Sequence, residues 1–128
     1  MTSAAAILFA IATALVVVFQ GALALGAPWG AYAMGGTMPG RWPRAMRLVA
    51  VGQAVLLAVL AFVVLDAAGL VDVPVIRDMP ALIWLVVAVS AVSLAMNAVS
   101  RSAGERRIWV PVALVMLGSS VIVALTGR

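Results

Sequence analysis

The sequence predicts an all-α fold, a four-transmembrane-helix antiparallel bundle, and three observations carry that expectation. Of the 128 residues 66% are hydrophobic and only 9% charged, where a soluble domain is nearer half apolar and a quarter charged. The eight arginines and four acids fall in clusters, at 41, 44 and 47, at 66, 72, 77 and 78, at 101, 105, 106 and 107, and at 128. Between them lie the uncharged stretches 1–40, 48–65, 79–100 and 108–127. Each has room for the ~17–25 residues with which a helix rising ~1.5 Å per residue crosses a ~30 Å hydrocarbon core. The helices are expected at roughly 3–25, 43–65, 80–99 and 108–126, in a single integral membrane domain covering 1–128.

The first helix has no basic residue near its start, and its apolar run is long for a signal peptide. Ala22-Leu23-Ala24 has the A-x-A form of a cleavage site but is read as helix. Ala6, Ala10 and Ala14 recur every fourth residue, a smooth stripe for close helix packing. Gln20 is the strongly polar side chain of this span, and Thr13 can bond its own backbone. Gly26-Ala27-Pro28 should end the helix, because glycine suits the position after a C-cap and proline cannot continue the ladder.

A hairpin follows to Arg47. Trp29, Tyr32 and Trp42 stand where amphipathic rings settle at the headgroup level, and Gly35-Gly36 and Pro39-Gly40 are turn signals. It reads as an aromatic-anchored connector; a re-entrant binding loop is the functional alternative. Pro43 sits in the tolerated first turn of the second helix, where Arg44 and Arg47 can snorkel, and Gln53 is that helix's polar group at depth. The second loop, 66–80, is acidic, with Asp78 a candidate N-cap for the third helix and Arg77 within reach of Asp72 or Asp78. On the third helix Ser90, Ser93 and Asn97 share one face. The third loop, 100–107, is short enough to make the last two helices antiparallel neighbours. Ser102-Ala103-Gly104-Glu105 has capping-box form and would start the last helix at Ser102. Pro111 would then lie inside it and kink it, unless the helix begins near Ile108.

Arg41, Arg44, Arg47, Arg101, Arg106 and Arg107 lie in the first and third loops, against Arg77 in the second and Arg128 at the end. The positive-inside rule puts the first and third loops in the cytoplasm, so both termini and the acidic loop are extracytoplasmic. Each half of the chain reads helix, arginine-bearing loop, Trp-then-Pro pair (Trp42-Pro43; Trp109-Val110-Pro111), helix. That pattern fits two helical hairpins related by a pseudo-twofold axis along the membrane normal, and equally two independent interface anchors.

Gly26-Ala27-Pro28-Trp29-Gly30, and the run Glu105-Arg106-Arg107-Ile108-Trp109-Val110-Pro111-Val112-Ala113-Leu114, resemble the landmarks of small four-helix bacterial integral membrane proteins. The resemblance spans the chain and implies a location in the bacterial cytoplasmic (inner) membrane. It brings no activity with it.

The residue inventory excludes much chemistry. With no cysteine and no histidine, disulfides, thiol catalysis, Cys/His metal sites and imidazole proton shuttles are all absent. Small multidrug transporters need a carboxylate in the first helix, and residues 1–40 contain no acid. No ionisable group falls at mid-depth of any span, where proton coupling would require one. The net charge of +4 comes from arginines flanking spans, which points to anionic lipid headgroups and not to nucleic acid. Arg41, Trp42, Arg44, Arg47, Arg101, Arg106, Arg107 and Trp109 are the expected interface belt. Glu105 among its arginines can frame a phosphate headgroup, or simply cap a helix. Gln20, Gln53, Ser90, Ser93 and Asn97 are the intramembrane polar groups. No catalytic residue, metal site or cofactor is expected. The expected role is non-catalytic: assembly or scaffolding, as a homo-oligomer or an accessory subunit of another membrane protein. The alternative is a binder of a lipid or apolar small molecule within the bundle, walled in part by methionines such as Met34, Met96 and Met116; a small transporter or channel ranks third.

Overall fold

The computed structural model describes residues 1–127, and within them the chain forms five α-helices and no strand. Arg128, used above for orientation, lies outside the described residues. Helix α1 spans Thr2–Ala24 and stops where glycine was expected to stop it. Gly26 takes φ +99°, its N–H donates to the Leu23 carbonyl at 3.1 Å, and the Ala27 N–H donates to the Ala22 carbonyl at 2.9 Å. Those two bonds are a Schellman closure, which needs a left-handed residue and therefore favours one without a Cβ. Helix α2, Arg44–Ala67, closes in the same manner at Gly69. There the Gly69 N–H donates to the Asp66 carbonyl at 2.9 Å and the Leu70 N–H to the Leu65 carbonyl at 3.0 Å.

Two boundary expectations need correction. The second loop contains a one-turn helix, α3 at Pro74–Arg77, with Pro74 opening it, and Asp78 closes that turn. Asp78 therefore does not cap the next helix; α4, Leu82–Ala98, starts behind Ala81. The apolar Ile76 of α3 packs against the main core, which is what draws this loop into a turn. The last helix, α5, covers Ala103–Thr126, five residues earlier than the 108 start. The Ser102 hydroxyl accepts from the Glu105 N–H at 3.1 Å, so the capping signal decided the boundary. Charges at 105–107 occupy the helix's first turns, because a helix can project beyond its apolar run. Pro111 lies within α5, where it removes one backbone donor, the partner that the Arg107 carbonyl would have had.

Helices α1 and α2 pack against each other, as do α4 and α5, while α1 also runs along α5 and α2 touches α4. At one end Thr2 Oγ1 and Thr126 Oγ1 lie 2.5 Å apart, so the start of α1 meets the end of α5. At the other, Arg47 Nε donates to the Ala24 carbonyl at 2.8 Å, tying α2's first turn to α1's last. The main core joins Ala5, Ala6, Phe9 and Ala12 of α1 to Leu60, Val63 and Val64 of α2, Ile83 and Val86 of α4, and Met116 and Val123 of α5. The α1 contact face is thus centred on Phe9. Of the expected alanine stripe, Ala6 is fully buried but Ala14 is exposed, because Phe9 turns the helix to point its own ring inward. Helices α1, α2 and α5 are long and apolar enough to cross a membrane; α4, with 17 residues, is a shorter apolar helix.

Candidate functional site

Every residue of that core on α1 precedes Thr13, and every one on α2 follows Val59. Beyond it, towards the first hairpin, the four long helices line a half-open cavity of about 660 Å³. That is within the ~300–1,000 Å³ typical of small-molecule sites. Val16, Phe19 and Gln20 come from α1, Gln53, Leu56 and Leu57 from α2, Val89, Val92, Ser93, Met96 and Asn97 from α4, and Trp109, Val112, Ala113 and Met116 from α5. The remaining wall is loop: Tyr32, Ala33, Met34, Gly35 and Thr37 of the hairpin, and Val99, Ser100 and Arg101 of the short link before α5. Glu105, in the first turns of α5, also lines it.

The hairpin is folded back over this space by its own sequence. Two short 3-10 turns, Gly30–Tyr32 and Met34–Gly36, bend the chain, with Met34, Gly35 and Gly36 all at positive φ of 53°, 69° and 74°. Trp42 anchors the turn from below. It is 2% exposed, packs with Leu23, Ala33 and Ala50, and donates from Nε1 to the Met38 carbonyl at 3.1 Å. It was expected at the headgroup level; the structure puts its ring inside the protein, because the hairpin curls over it.

Three hydrogen bonds then lash the hairpin to α5. Ser102 Oγ donates to the Ala31 carbonyl at 2.6 Å, the Gly35 N–H donates to Glu105 Oε2 at 2.8 Å, and Trp109 Nε1 donates to the Tyr32 carbonyl at 2.8 Å. The Tyr32 ring lies directly on Gly104, where any Cβ would collide with it. Phe19 joins the same assembly, meeting Trp109 edge-on at 4.7 Å and stacking on Trp29 at 6.2 Å. Glu105 is the hub. It is 8% exposed, and its Oε2 also accepts from Ser100 Oγ at 3.1 Å. The Ser102 N–H, which a complete capping box would give to the glutamate, goes to Ser100 Oγ instead, at 3.1 Å. The carboxylate is thereby released from its own helix end to hold the hairpin.

Of the polar groups expected within the membrane, Gln20, Gln53, Ser93 and Asn97 converge on this cavity. Ser90 does not; it is buried outside the lining. Asn97 Nδ2 donates to the Ser93 carbonyl at 2.8 Å, and Gln20 Oε1 is buried without a hydrogen-bond partner. The arginines divide by task. Arg41 lies over the Gly26 turn, its Nε 2.8 Å from where a Cβ there would stand, and Arg47 holds the α1 terminus. Both set positive charge at the negative end of the helix dipole. Arg106 donates to the Ser100 carbonyl, Arg44, Arg101 and Arg107 are exposed, and Arg101 alone of the described arginines lines the cavity. Among the described residues no group of three or more His, Cys, Asp or Glu is arranged to hold a metal ion. Comparison of the chain with protein-family models, with curated proteins and with solved structures returns no match.

Proposed function

We propose that this protein is a four-span membrane protein whose bundle binds an apolar or amphiphilic small molecule, a lipid foremost, in the cavity beneath the first hairpin. The single observation that carries this reading is the cavity itself: about 660 Å³ between helices that elsewhere touch through alanine and valine. Its walls are aliphatic, aromatic and methionine side chains with a few polar groups among them, the composition of a small-molecule site. Methionines such as Met34, Met96 and Met116 suit an apolar guest because they adapt their shape.

In this proposal α4 is the fourth span. Its 17 residues rise about 25 Å and stand at the short end of the ~17–25 residues that suffice. The helices then form an antiparallel bundle of two hairpins in a bacterial inner membrane. Arginine placement sets the hairpin and the link before α5 in the cytoplasm and both termini outside. The cavity lies at the cytoplasmic level, beside anionic headgroups that the outlying arginines attract.

An assembly role, as homo-oligomer or accessory subunit, is the alternative. It drew on the alanine stripe of α1, and Ala6 is taken up inside the core. Native mass spectrometry after extraction in a mild detergent tests the choice. The expected spectrum shows one retained apolar molecule or lipid per chain. It is lost in Ala113→Trp, which fills the cavity wall, while helicity and melting stay intact. A chain that carries nothing, or an adduct that survives that substitution, overturns the reading. A defined oligomer without adduct favours assembly.

A further inference from the structure

The head chemistry of the guest is written on the cavity wall, and this step rests on the binding reading above. Two charged side chains line the cavity, Glu105 and Arg101. They do not pair with one another, since the only ion pair among the described residues joins Arg77 to Asp72. Glu105 is 92% buried, being 8% exposed, and both of its side-chain hydrogen bonds fall on Oε2. Oε1 receives no donor from the chain and keeps some accessible surface, unlike a fully buried atom. Arg101 is exposed at the cavity's edge and makes no hydrogen bond, in contrast to Arg47 and Arg106, whose guanidinium groups are committed to backbone carbonyls. Gln20 Oε1 adds a second acceptor on the same wall, this one buried and unbonded. Buried polar atoms are ordinarily bonded, so Gln20 Oε1 calls for a donor from the space it faces, and the open Glu105 Oε1 can take one from the same space.

We infer that the cavity takes a zwitterionic amphiphile, an ammonium and a phosphate on one head with an apolar chain. The ammonium meets Glu105 Oε1 and Gln20 Oε1, the phosphate meets Arg101, and the chain runs between Val16, Leu57, Val89 and Val112. A head with only one of these charges leaves either the carboxylate or the guanidinium unmatched, and charge-assisted bonds are the strong ones in such a site. A membrane aminophospholipid and a soluble single-chain zwitterion share this chemistry.

The test is a titration of the purified chain in maltoside detergent, read by tryptophan fluorescence because Trp109 lines the cavity. The probes are three amphiphiles of equal chain length: a lysophosphatidylethanolamine, a lysophosphatidylglycerol and a primary alkylamine. The zwitterion is expected to bind about tenfold tighter than either single-charge probe, the worth of one charge-assisted bond. Glu105→Gln should remove that advantage while leaving the phosphate-only probe unchanged; the amide oxygen still accepts from Gly35, so the hairpin stays closed. Arg101→Gln, which breaks no hydrogen bond, should weaken both phosphate probes and spare the amine. Three probes binding within twofold of one another, or either substitution weakening all three alike, overturns the head assignment and leaves the cavity standing. Failure of every probe to saturate overturns the cavity reading with it. Copurified diacyl phosphatidylethanolamine at one per chain identifies the source as the membrane; its absence beside tight lyso-lipid binding identifies a soluble zwitterion.

Discussion

The two ends of this molecule belong to the same helices and are held by different forces. At the end carrying the termini and α3, the helices touch directly: Ala5, Ala6 and Phe9 against Val63, Val64, Ile83 and Val86. A crevice of about 70 Å³ lies there, between α2, α3 and the start of α4. At the hairpin end α1 and α2 stay joined through Leu23 and Ala50, a half-open cavity of about 660 Å³ lies among the four helices, and a loop fastened by hydrogen bonds to α5 covers it. In lipid no hydrophobic force draws helices together, so close packing has to come from side chains small enough to let backbones approach, and from polar contacts. Alanines supply the first at one end; Glu105, Ser102 and Trp109 supply the second at the other. A fold that concentrates its packing at one end can keep a chamber at the other.

The largest test of that contrast is a matched pair of truncations. Phe9→Ala, at a fully buried position, should cost about 3 kcal/mol, the low end for a buried phenylalanine because lipid returns part of the transfer energy. Leu56→Ala on the cavity wall, where Leu56 is already half exposed, should cost less than about 1 kcal/mol. Unfolding both in mixed detergent micelles measures the difference, and equal costs would mean that the two ends pack alike. Next in size is Glu105→Ala, which strands the Gly35 N–H and frees Ser100, for a loss of about 2 kcal/mol. Hydrogen exchange should then speed up in the hairpin and stay unchanged at the termini; acceleration at both ends would show that the fastening is not local. Trp109→Phe keeps the ring but loses the bond to Tyr32, a loss of about 1 kcal/mol that should again be confined to hairpin amides. Smallest is Thr2→Val. The hydroxyl pair with Thr126 is exposed, so a change within about 0.5 kcal/mol is expected, and a larger one would make that end, too, dependent on hydrogen bonds.

Reading these residues in order anticipated some features and missed others for a consistent reason. Gly26 announced the end of α1, and the Ser102 cap, which stood against the 108 start that the charges suggested, proved right, because caps are contacts between near neighbours. Four of the five polar groups singled out inside the spans do line the cavity. Glu105 was visible as a cap or a phosphate frame. Its bond to Gly35, 70 residues away, left no local mark beyond the glycines themselves. Trp42 looked like an interface anchor, since burial depends on what folds over a ring and not on the ring. The turn at α3 was hidden in an acidic loop, where Ile76 gains a reason to be helical only once a core exists to receive it.

What the sequence determined alone is the membrane-suited character of the chain and those helix ends, such as the one at Gly26, that a local cap fixes. Those follow from hydropathy and charge spacing, and from capping, which act within a few residues of each other along the chain. The tertiary structure decided which faces meet, that the hairpin closes over a chamber, and that one carboxylate and one guanidinium share its wall unpaired. Those depend on how far apart the helices settle, a distance set by the sum of many side chains on four helices at once, and no short stretch of sequence contains that sum.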